Sequence, residues 1–511
     1  KDIFNKIMRK ALFTKDWLKL HPYKTADDVD QYYTQLANKI YQEQEETCFN
    51  ELFDDEEDAK HLALCIAAYF EDVISGIGIW RAFTTECQKR YGVFVPFYTE
   101  YDKGTYYQDE INMSDIMFLL WHHFQQSIYK KEALPPLFGG IMLTATRVYK
   151  ILETEYETAP ENERLYEYLC TSETDENHFY DYRNILEWFH FSCYFNVGNK
   201  KRFEEEINKK AILDEQANIM LYSTRIESLM NSRYNLLALS SAEWLAKISE
   251  QHPAHKLWTD IDYRGSVFFT VTKEDEQFIY VKDLFQDDTL KVNKNSIQLD
   301  DFGEFLNGNS VMVTNMFKFG NAWWQNGALL SYPLDKKMKE VIDKEKDEKL
   351  HKQMLLDYEL VKKSGYAHKL AFLKDDNELL ALYKKAGYKI AKGFTSPQPN
   401  AKAIILSGSP YTGNQLTYEL AHCICDKDNP FYDSIKAEKD AFDIISGCGN
   451  AFPYETVCHL IDHHMIPDAN VFGKSFPKDE GIRITQENLQ FLADYHLRGR
   501  RDKDLSPTEL W

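Results

Sequence analysis

The chain has 511 residues, long enough for two to four domains with cores of their own, and 14% of them are aromatic. Its 60 Lys and Arg against 81 Asp and Glu leave a net charge of −21, which repels phosphate backbones and disfavours general nucleic-acid binding. A run of about 18 or more apolar residues, the least that spans a bilayer, is missing, so no membrane partner is expected.

The opening stretch "KDIFNKIMRKALFTKDWLKLH" is amphipathic and charged throughout, unlike the apolar centre of a signal peptide. The 9 Cys are dilute and several sit inside apolar helix patterns, so they read as reduced thiols of a cytoplasmic protein. Residues 1–255 read as an irregular all-α domain with no repeat period. "TADDVDQYYTQLANKIYQEQ" opens with Thr25 as N-cap and Asp28 at the capping-box position, followed by Val29, Tyr32, Tyr33, Leu36 and Ile40 at helical spacing. "EDAKHLALCIAAYFEDVIS" is apolar nearly all round, which predicts a central helix. The adjacent His122 and His123 in "WHHFQQ" diverge on their helix and read as satisfied or exposed side chains rather than ligands.

From Tyr263 the pattern changes to period two. "SVFFTVTKEDEQFIYVKDLFQDDTLKVN" and "NSVMVTNMFKFGNAWWQNGALLSYP" predict about five short strands, a small antiparallel β-barrel of OB-like or SH3-like size over 262–332. Residues 333–365 predict one long charged helix. Residues 366–511 mix strand patterns such as "HKLAFLKD" and "AKAIILSG" with helical ones such as "QLTYELAHCIC" and "YETVCHLIDHH", a small α+β C-terminal domain. The fold class is therefore mainly α with a small antiparallel β-barrel module, multi-domain.

Three histidines stand in "CHLIDHHMIPDAN". On a helix His459 and His463 lie one turn apart with Asp462 beside them, and an i, i+4 pair can offer two imidazoles to zinc or another divalent metal. "HLIDH" has the shape of a zinc-hydrolase signature, with Asp in place of the usual Glu and no third ligand marked out. The competing reading is the polar face of an amphipathic helix stopped by Pro467. Cys423, Cys425, Cys448 and Cys458 lack the paired C-x-x-C spacing of a zinc ribbon. The quartets Glu187–His190 and Glu419–His422 match half of a di-iron pattern each, but they stand on either side of the β module. "GSPYTGNQ" follows an apolar strand and is expected to precede a helix, yet Asn414 and Gln415 stand where a phosphate loop has its Lys and hydroxyl. The basic run "YHLRGRRDK" reads as a solvated helix end. In the barrel, Phe317, Phe319, Trp323 and Trp324 cluster near a hairpin, and an exposed Trp among them would anchor a peptide or a base.

Three short stretches, "DWLKLHPY" at 16–23, "DNPFYD" at 428–433 and "MIPDA" at 465–469, stand in this order with the β module between the first and the second. In this the chain resembles a bacterial family of unknown function. The resemblance implies a whole, soluble cytoplasmic protein of bacterial origin, and it brings no catalytic residues. The leading expectation is a non-catalytic scaffold or interaction protein with a protein partner and no cofactor. The alternatives are a metal-dependent hydrolase using His459, Asp462 and His463, and a nucleic-acid-associated factor using the barrel and the Arg498–Arg501 end.

Overall fold

A computed structural model describes residues 11–498 apart from 103, 129–132, 139, 171–177, 211–216, 234–235, 298–302, 307, 356–369, 388–400, 410–412 and 447–451. The chain forms two compact units, Lys1–Ile128 with Gly139–Lys346, and Tyr129–Phe138 with Asp347–Trp511. Among the described residues no single helix is long and apolar enough to cross a membrane.

The first unit opens with a helical array: α1 (Asp28–Glu46), α2 (Glu56–Ile74), α3 (Ile79–Tyr91), α4 (Met113–Ile128), α5 (Ile141–Glu155), α6 (Phe179–Phe191), α7 (Asn199–Lys210), α8 (Ala217–Asn231) and α9 (Ser241–Ile248). The uniformly apolar α2 is central, with Leu62 through Phe70 all buried. α1 begins two residues later than its sequence pattern suggests. Its N-cap is Asp27, and Asp30 closes the capping box. The reason is tertiary, because Asp30 also accepts the Trp17 indole N–H at 3.0 Å, which fixes where the first turn starts.

The same unit carries the barrel: β1 (Asp262–Glu274), β2 (Phe278–Asp283), β3 (Thr289–Asn293), β4 (Ser310–Phe319), β5 (Ala322–Gln325) and β6 (Leu330–Pro333). The sheet order is β1-β2-β3-β5-β4-β6, and a further β1–β4 pairing closes five strands into a barrel. β3 and β5 pair in parallel, and a short helix at Gly303–Leu306 stands between β3 and β4. A five-stranded Greek-key closure of this kind is OB-type rather than SH3-type. β1 is long because it serves two neighbours, β4 through its first half and β2 through its second, with register shifts after Arg264 and Val271 that bend it round the barrel. Phe269, Val271, Ile279, Val281, Leu290 and Val292 alternate inward to make the core. Helix α10 (Lys336–Leu355) follows, charged along most of its length.

The second unit holds an antiparallel sheet of β7 (Leu370–Leu373), β8 (Ile404–Ser409) and β9 (Gly413–Tyr418), with α11 (Asp376–Lys385) packed on it. It continues with α12 (Ser434–Ser446), α13 (Tyr454–Asp462), α14 (Lys478–Glu487) and α15 (Leu489–His496). One expectation is corrected here. The segment after "AIIL" returns as a strand, Ser409 pairing with Gly413 and Ile404 with Tyr418, so "GSPYTGNQ" bridges a β-hairpin. A phosphate loop needs a helix N-terminus at that place, and none follows.

Candidate functional site

The alternation of β2 decides which side chains leave the barrel. Ile279, Val281 and Asp283 are buried, while Phe278, Tyr280 and Lys282 face outward and are half-buried. Register places Lys291 of β3 and Lys273 of β1 on either side of Tyr280. The Lys291 ammonium lies 3.7 Å from the Phe278 ring centroid, and that of Lys273 lies 4.3 Å from the Tyr280 centroid. The Tyr280 hydroxyl donates to Asp275 at 3.0 Å. Lys282 pairs with Asp287 at 2.7 Å, in the turn that leads to β3. The result is two aromatic rings and three ammonium groups on one outer face. Carboxylates bound it at each end, Asp275 and Glu276 in one turn and Asp287 and Asp288 in the other. The signal for this face stood in "EQFIYVKD", whose outward positions are read directly from period two once the inward set is fixed.

The aromatic residues singled out near the β4–β5 hairpin lie elsewhere. Trp323 is part of the barrel core, with the Arg264 guanidinium 5.1 Å from its ring. Trp324 stacks on Phe179 of α6, with ring centroids 4.6 Å apart and planes at 14°. Phe317 and Phe319 pack against Phe179 as well, and Tyr182 meets Phe319 at 5.0 Å. All four are buried, so neither Trp supplies an exposed anchor, and this side of the barrel is the side fastened to the helical array.

His459 and His463 do come together, with ring centroids 4.0 Å apart. His463 is the C-cap of α13, and its Nδ1 donates to the His459 carbonyl at 2.8 Å. Asp462 is exposed at the helix end. Among the described residues no third ligating group converges on this pair. Cys458 receives the Gln490 amide at 3.6 Å, Cys425 is exposed, and Cys448 lies outside the described residues. Cys423 does join a grouping, with His422 and Asp440, in which His422 Nε2 lies 2.7 Å from the carboxylate. Glu187 holds Arg225 at 2.9 Å, and His190 bonds Ser241 at 2.8 Å. Glu419 and His422 belong to the second compact unit. Arg498 pairs with Asp494 at 3.6 Å, while Arg500 and Arg501 lie outside the described residues.

The three stretches that carried the resemblance are built into buried hydrogen-bond networks. His21 Nε2 meets Glu71 at 2.8 Å with both side chains enclosed, and Asn162 donates to the other Glu71 oxygen at 2.7 Å and to Tyr23 at 2.7 Å. Burial alone would push the His21 imidazole down, but the Glu71 carboxylate, the Trp17 carbonyl and Asp30 together hold it above its ordinary value. Asn429 ties the Ala421 and Ile424 carbonyls at 2.7 and 2.8 Å, and the amide of Cys425, three residues before the second stretch, donates to the Met465 carbonyl of the third at 2.9 Å.

A family model described as "Protein of unknown function (DUF3843)" matches residues 11–301 and 313–498, and all three stretches fall inside it. No curated protein and no solved structure matches the chain.

Proposed function

We propose that this chain, which belongs to the DUF3843 family, is an interaction protein whose barrel holds a segment of a partner protein on its β2–β3 face. The observation that carries this reading is the pair of outward rings, Phe278 and Tyr280, each with a lysine ammonium over it. Rings supply contact area at small entropic cost, and the lysines supply a counter-charge for carboxylates. An OB-type barrel commonly receives its ligand at this place. A polyanionic strand lying across the face would pass Asp275 and Glu276 at one end and Asp287 and Asp288 at the other, in a chain of net charge −21. A protein segment with one or two carboxylates escapes that repulsion.

The test is a displayed-peptide library selected against the purified protein and against Phe278→Ala/Tyr280→Ala/Lys291→Ala. Acidic peptides should be enriched by the parent, and the variant should bind them at least tenfold more weakly. Enrichment that the variant retains would remove the face from the function. Single-stranded oligonucleotides that bind where peptides do not would replace the protein partner with a nucleic acid.

A further inference from the structure

We infer that His61, Cys65 and His123 form a zinc-binding site inside the helical array. His61 and Cys65 are four residues apart on α2 and so present their side chains on one face. His123 reaches them from α4. The ligating atoms of the three all lie within 4.8 Å of one another. His61 Nδ1 is 2.9 Å from His123 Nε2, and Cys65 Sγ is 3.5 Å from the same Nδ1.

Zinc bonds nitrogen at about 2.0–2.1 Å and sulfur at about 2.3 Å, so tetrahedral angles place two nitrogens about 3.3 Å apart and nitrogen about 3.6 Å from sulfur. The separation between Cys65 Sγ and His61 Nδ1 already matches. The two imidazoles need to part by about 0.4 Å, within reach of small side-chain rotations. A hydrogen bond between two neutral imidazoles would explain the histidines alone, whereas the Cys65 sulfur also stands beside the His61 ring, 3.5 Å from Nδ1 and 3.8 Å from Nε2.

The surroundings suit a metal. Ser127 Oγ stands 3.4 Å from His123 Nδ1, which leaves Nε2 turned toward His61. The Phe53 ring meets His123 edge-on at 5.9 Å and forms an apolar wall. Cys65 and His123 are buried and His61 is half-buried, and a water would complete the tetrahedron. Zinc entry forms the Zn–S bond as the Cys65 S–H bond breaks, with the proton leaving to solvent.

The full chain, stripped with a chelator, should take up one zinc in competition with a chromophoric chelator. Cobalt in its place should give tetrahedral visible bands and a thiolate-to-cobalt band in the near ultraviolet. Cys65→Ser should abolish the thiolate band, and Cys65→Ser and His123→Gln should each weaken zinc binding by about 100-fold, while His459→Ala/His463→Ala leaves binding intact. A parent chain that takes no zinc, or a cobalt spectrum with no thiolate band, overturns the site. Should the buried variants lose their circular dichroism, Cys423→Ser decides. A band that survives it stays with Cys65, and a band that it removes moves the metal to His422, Cys423 and Asp440 and overturns the assignment.

Discussion

Asp115 and His21 are both fully enclosed in the helical array, and each sets a pH dependence of its own. Asp115 accepts the Tyr69 hydroxyl at 2.7 Å and that of Tyr106 at 3.0 Å, yet burial outweighs these bonds and pushes its carboxyl up to about 6. An acid with a raised folded value favours folding most when protonated. Its contribution is complete below the unfolded value and is lost as pH rises through about 6. Relative to Asp115→Asn, the parent should lose about 2 kcal/mol of stability between pH 4 and pH 7, read from urea denaturation at each pH. A constant difference would mean that Asp115 ionises normally. His21 is also raised, so its contribution is present below the unfolded value of about 6.5 and is lost above it. Relative to His21→Gln, the parent should therefore lose stability only above that point. The same urea series separates the two residues by window. Their environments could not be read from the sequence, because Asp115 opens a helix in "MSDIMF" like any exposed N-terminal acid, and nothing in the pattern marks Tyr69 on another helix or Tyr106 in the preceding loop as its partners.

At the scale of elements, legibility followed periodicity. The barrel strands were readable because Phe269 and Val271, or Ile279 and Val281, repeat inward at every second residue. The centre of α2 was readable because Leu62 through Phe70 is apolar on all sides. β9 was not, since "QLTYELAHCIC" satisfies a helical pattern as well as a strand pattern, and only its pairing with β8 settles it. The Phe317, Phe319 and Trp324 set was readable as aromatic but not as the seam to α6, since period two gives a face and not what covers it. The outward positions of Phe278 and Tyr280 were readable in the same way, but not that this face stays uncovered by the helical array. The seam gives its own prediction. Phe179→Ala removes the ring on which Trp324 stacks and should cost about 3–5 kcal/mol in denaturant. Amide exchange in β4 and β5 should rise more than in β7–β9. Equal loosening of both sheets would mean that Phe179 supports the fold generally rather than fastening the barrel.

On the scale of the whole molecule the excess of 81 acidic over 60 basic residues has to be weighed against local ion pairs. Many of those pairs lie at the surface within one helix, such as Lys60 with Glu56 and Glu57, or Arg483 with Glu480 and Glu487, while others join distant segments, such as Lys39 with Glu155. Each contributes about 0–1 kcal/mol, and salt weakens it. The remaining negative charge acts in the opposite sense. At 0.01 M salt the Debye length is about 30 Å, so the excess carboxylates repel one another across the molecule, while at 0.15 M it is about 8 Å and only near neighbours interact. Self-repulsion involves many more charge pairs than the local contacts do, so screening should win. Raising sodium chloride from 0.01 to 0.15 M should therefore raise the Tm at pH 8, by a few degrees in a thermal melt. The gain should shrink near pH 5, where carboxylates begin to take protons and histidines carry charge, so that the net charge falls. A Tm that falls with salt at pH 8, or rises equally at both pH values, would assign control to the local pairs. The same balance bears on the barrel face. Lys273, Lys282 and Lys291 hold positive charge within a negative field, so screening that stabilises the fold should loosen an acidic partner, and stability and binding should respond to salt with opposite sign.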